Sequence, residues 1–122
     1  MIQSNLVAMA LLFSAAPLAA QDNSPSAKQL DSRLGACLTS ASAGAPRDSL
    51  LRAIVAVRSV CETQIRRVRD LRVGKVDERF GLPDAKLTAS QQEALEKARD
   101  AAIRRLNDEI ALTISNWTGL TR

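Results

Sequence analysis

The chain contains no histidine and no tyrosine, and only two phenylalanines and one tryptophan. Without histidine, every Ser-His-Asp triad, every Cys-His pair and every histidine-containing metal site is excluded. The scarcity of aromatics removes the stacking platforms used in single-stranded nucleic-acid binding, so no nucleic-acid partner is expected. Cysteine is limited to Cys37 and Cys61, which leave no thiolate for zinc or catalysis if they pair with each other. The five glycines, at 35, 44, 74, 81 and 119, stand alone, so there is no phosphate-cradling loop. The carboxylates Asp77-Glu78 and Asp108-Glu109 are adjacent in sequence and splay apart on a helix, whereas a catalytic acid and base must converge in a cleft. The expectation is a protein that is not an enzyme and has no cofactor and no metal site.

What is present begins with the first twenty residues. Leu6 to Ala16 is an apolar run broken only by Ser14, and it leads through Pro17 to Ala19-Ala20 and then polar Gln21-Asp22-Asn23. This is the layout of a cleaved secretory signal, although Met1 to Asn5 lacks the usual positive charge. The run is shorter than the roughly 20 residues needed to span a bilayer, and Gln21 stands where a lipidated cysteine would be required. Residues 1–20 are therefore expected to be removed near Ala20, leaving residues 21–122 as a single helical domain with no stable membrane insertion. The expected location is periplasmic or secreted. An oxidising compartment would turn Cys37 and Cys61 into a predicted disulfide.

All 17 basic and 13 acidic residues lie after residue 20, so the remaining chain carries the whole net charge of +4. Such a balance permits weak attraction to acidic surfaces, but the favoured reading is a solvated surface from an arginine-rich composition.

Apolar periodicity predicts three helices and no strand. Helix A opens at Asp22 to Ser24 with Pro25, carries Leu30, Leu34, Cys37, Leu38 and Ala41, and fades between Ser40 and Pro46. Helix B begins near Pro46 to Asp48 and carries Leu50, Ile54, Val57, Cys61, Ile65 and Val68. It continues past Gly74 through Val76 and Phe80 to a stop at Gly81-Leu82-Pro83. Helix C opens with a capping box, Thr88 with Gln91 or Ser90 with Glu93. Its stripe is Leu95, Ala98, Ala102, Leu106, Ile110, Ile114 and Trp117.

Both cysteines lie on apolar stripes, so antiparallel helices A and B could bring them face to face. With helix B starting at Arg47, Cys61 is about 21 Å along its axis, while Cys37 is only about 9 Å from Ala43. A bond needs Cα atoms about 5.5–6 Å apart. The expectation is that helix A stops near Thr39 or Ser40 and that the next six or seven residues run back along helix B. A redox-active pair is the alternative, but the Cys-x23-Cys spacing lacks the strand-helix setting of such sites.

The run Ala36-Cys37-Leu38 through Gly44-Ala45-Pro46 to Val60-Cys61 resembles a pattern among small exported helical proteins of proteobacteria. That resemblance implies export and a disulfide, and no activity. Leu87-Thr88-Ala89-Ser90-Gln91 is similar to the LTxxQ motif of Spy-like periplasmic chaperones, which implies a holdase-like stress protein. Those chaperones are cysteine-poor and usually carry two copies of the motif, whereas this chain has one.

Folding B and C together leaves A able to cover only part of the pair. The expected architecture is a small all-α three-helix bundle with one inter-helix disulfide and a projecting two-helix arm, Arg66 to Arg79 against Ala89 to Ala102. The arm concentrates Arg66, Arg67, Arg69, Arg72, Lys75 and Arg79, partly offset by Glu93, Glu96 and Asp100. The candidate binding residues are Arg66, Arg67, Arg69, Arg72 and Arg79. The leading expectation is a protein-interaction module of the cell envelope that binds an envelope protein or a second copy of itself. The alternatives are a holdase-like stress protein and a binder of anionic envelope surfaces.

Overall fold

The computed structural model describes residues 24–121, so the signal-like segment lies outside the described residues. Four helices follow in order: α1 (Ala27–Ala43), α2 (Leu50–Val60), α3 (Glu62–Arg79) and α4 (Ala89–Thr118), with no strand among the described residues. The described residues form an all-helical fold, and Cys37 and Cys61 are joined with their Cα atoms 5.9 Å apart.

The helix ends follow from local chemistry. Ser26 caps α1 by a reciprocal box with Gln29, two residues after the end of the predicted start signal at Asp22 to Ser24. Thr88 and Gln91 form the same box at α4, the first of the two expected pairings. At the end of α3, Gly81 takes a left-handed φ of 81°. The Leu82 amide donates to the Asp77 carbonyl and the Gly81 amide to Glu78, a Schellman closure. Gly119, also left-handed, ends α4 by donating to the Ser115 carbonyl.

Helices α2 and α3 follow the predicted helix B, interrupted only at Cys61. The Cys61 amide donates to Val57 and the Cys61 carbonyl accepts from Ile65, so hydrogen bonding passes through the break. Gly74 is accommodated within α3.

The predicted early end of helix A is corrected: α1 runs on to Ala43. The disulfide still closes because α2 starts later than expected. Ser49, not the Pro46 to Asp48 stretch, is its cap, accepting from the Arg52 amide. Cys61 thus lies about 17 Å along the helix instead of about 21 Å. Residues 44–49 span the remaining offset.

One core cluster joins all four helices. Leu34 and Leu38 of α1 meet Ala53 and Val57 of α2, Ile65 and Val68 of α3, and Leu106, Ile110 and Ile114 of α4, with Cys61 fully buried among them. Trp117, predicted to continue the α4 stripe into the core, is 58% exposed. Val76 and Leu95 are buried outside this cluster, toward the loop joining α3 to α4.

Candidate binding surface

The predicted basic patch divides according to what each arginine touches. Arg72 is turned inward and is only 28% exposed. Its guanidinium lies 2.7 Å from Glu109 on α4 and 3.8 Å from Asp31 on α1, so it ties three helices together. The sequence carried a signal for this. Arg72 falls four residues after Val68 and four before Val76, in phase with the buried stripe.

Arg66 pairs with Glu62 at 3.2 Å along its own helix, and Arg69 approaches Asp70 at 3.7 Å. These exposed contacts contribute a few tenths of a kcal/mol each. Arg67 and Arg79 are exposed. Among the described residues, neither they nor Lys75 and Arg105 have a carboxylate within 4.0 Å.

Charge is matched between α3 and α4 differently from the expectation. Glu93 pairs with Lys97 on its own helix, and the cross-helix contact is made by Arg99 and Asp77 at 2.7 Å. The hydrogen bond that Arg99 donates to the Asp77 carboxylate is the main cause that raises the Arg99 pKa above its ordinary value. The charges of Asp77 and Glu96 add to it, while partial desolvation opposes it.

Two open grooves separate the candidate residues. The larger, about 710 Å³, lies between α3 and α4 toward their connecting loop. Val76 and Ala102 line its apolar part, and Arg72, Lys75, Arg79 and Arg105 its basic part, with Glu78 and Glu109 as the acidic members. A groove of about 360 Å³ takes Arg66 and Arg69 with Val55, Arg58, Glu62 and Ile65. Arg67 lines neither.

A smaller hollow fixes the large groove relative to α1. Asp31, Leu34 and Leu38 of α1 line it with Leu106 and Ile110 of α4, and it shares Arg72 and Glu109 with the large groove. Helix α1 therefore lies along the α3–α4 seam, and the large groove is the same seam continued past α1. No family model matches the chain, and neither does any curated protein or solved structure.

Sequence reasoning missed Arg105 and Arg47. Arg105 sits between Ala102 and Leu106, at the edge of the α4 stripe, a position that marks a groove rim only once the seam is known. Arg47 donates to the Thr118 carbonyl at 2.9 Å and reaches the Ser42 carbonyl at 3.5 Å, so it serves the C-terminal ends of α4 and α1 together. No local pattern announces it. Among the described residues no helix is long and apolar enough to cross a membrane, and no cluster of potential ligands could hold a metal ion.

Proposed function

We propose that this protein is an exported binding module of the cell envelope, acting through contact and not catalysis. In this reading a three-helix bundle holds a short two-helix arm, formed by the loop-facing parts of α3 and α4, and the arm is the working surface. The observation that carries it is the open seam beyond α1. Three cations there, Lys75, Arg79 and Arg105, have no carboxylate within 4.0 Å among the described residues, next to the half-buried Ala102.

Export is supported by the disulfide, because such bonds persist in oxidising compartments, and by the signal-like start of the sequence. The decisive experiment places a photocrosslinker at position 79 and, separately, at position 67 in the envelope fraction, at low and at moderate salt. A dominant, salt-resistant protein band from position 79 alone supports the module. Equal capture from both positions, or capture of lipidic material only at low salt, would replace it with the anionic-surface reading.

A holdase-like role is the second reading. It is favoured by the large apolar side chains left in solvent: Leu51, Val55, Val60, Leu112 and Trp117. Suppression of model-substrate aggregation at near-stoichiometric ratios would support it, and no suppression would remove it.

A further inference from the structure

The α3–α4 seam is occupied by a helix over part of its length and open over the rest. Where it is occupied, α1 buries Leu34 and Leu38 in the core and turns Asp31 toward Arg72. Past α1, the same two helices leave the half-buried Ala102 and the aliphatic stems of Lys75, Arg79 and Arg105 along the groove, over a Val76 that is itself buried. The acids in this stretch do not balance those cations. Glu109 is engaged by Arg72 at 2.7 Å, which leaves Glu78 against three positive groups.

A second copy of the chain fits this groove poorly. Its exposed acids on α4, Glu93, Glu96 and Asp100, are interleaved with Lys97 and Arg104, and the whole chain is positive. A lipid headgroup would satisfy the cations but would not use the length of a groove that continues the seam α1 occupies.

We infer that the groove receives an acidic amphipathic helix of a partner protein, laid along the seam in line with α1. Small side chains of that helix rest on Ala102 and on the aliphatic stems of the flanking cations, and its carboxylates face Lys75, Arg79 and Arg105. The inference rests on the binding-module reading and supplies the chemistry of its partner. From Arg72 to Arg79 the seam runs about 10 Å, or two helical turns of the occupant. So short a footprint belongs to weak, transient association, with charge steering the encounter. Asp31 beside Arg72 is the intramolecular template for that pairing.

The test uses the whole chain with its disulfide intact and a synthetic peptide of about 18 residues, five helical turns. The peptide carries Leu and Ala on one face and Glu on the other. A scrambled peptide of identical composition and vesicles containing phosphatidylglycerol serve as the competing probes. Binding is read by fluorescence anisotropy and by amide chemical shifts.

The amphipathic peptide should bind, moving the amides of Lys75, Val76 and Ala102. Lys75→Glu with Arg79→Glu should weaken it at least about tenfold, since like charges then face each other. Arg67→Glu, outside the groove, should leave it unchanged. Unaltered helicity of each variant establishes that folding is intact. Equal binding of the scrambled peptide, preference for vesicles, shifts at Leu51 and Ile54 in place of Val76, or no binding would each overturn the inference. Failure of the peptide while position 79 still captures a protein band removes the helix and keeps the module; loss of both removes both.

Discussion

Arg72 on α3 and Glu109 on α4 meet at 2.7 Å with Asp31 of α1 on the other side of the guanidinium, so the joint of three helices is ionic at its edge. Arg72→Ala should lower stability by about 1 kcal/mol, between the values for exposed and well-ordered charge-assisted contacts. Arg72→Met keeps the aliphatic stem packed and should lose less. Urea unfolding of the two variants separates charge from packing. Peptide docking in the groove should weaken in both, because the freed Glu109 carboxylate then joins Glu78 against Lys75, Arg79 and Arg105.

Reduction of the disulfide should cost roughly 3 kcal/mol, the magnitude expected for a closed loop of this size. The bond joins the half-buried Cys37 to a fully buried Cys61. Cys37→Ala with Cys61→Ala should be destabilised comparably and become insensitive to reductant. Equal urea midpoints for the oxidised and reduced wild type would contradict this.

Gly81→Ala should destabilise the chain by about 1–2 kcal/mol, the cost of a side chain in the left-handed region. The new Cβ would also come within 3.0 Å of the Ala85 Cβ. Gly74→Ala, where nothing lies within 4 Å of the added carbon, should instead stabilise α3 by up to about 1 kcal/mol. Thermal melts of the pair would show opposite signs.

The Ser42 hydroxyl is buried without a hydrogen-bond partner among the described residues. Removing it as Ser42→Ala should leave stability unchanged or raise it by about 1 kcal/mol, because an unpaired buried polar group is unfavourable. A clear drop in melting temperature would show that the hydroxyl has a role the packing does not reveal.

Much of the fold was legible because it is written locally. Thr88 with Gln91 marks the start of α4, and Gly81 marks the end of α3, since both act within one turn. The stripe from Leu50 to Val68 carried the helix through Cys61. The end of α1 was not legible, because Pro46, Asp48 and Ser49 compete as start signals and only Ser49 finds the Arg52 amide. Trp117 followed the periodicity and still stands in solvent, because periodicity reports a face and not whether a neighbouring helix reaches it. The groove was hidden for the same reason: it depends on how far α1 extends along its neighbours. Within the basic run, the phase of Arg72 with Val68 and Val76 marks it as the inward-facing member, yet the sequence expectation grouped this structural tie with Arg79, an open cation.

The core cluster ends near Val68 on α3 and Leu106 on α4, while Val76 and Leu95 are buried apart from it. The backbone amides should therefore fall into two exchange populations. Those around Cys61 and Ile110 open to deuterium only when the whole protein unfolds, and slow further when the disulfide is intact. Those of residues 73–79 and 95–102 open by a smaller, separate excursion that the disulfide does not reach. The seam could then loosen and re-form around an incoming segment many times within the lifetime of a single native core.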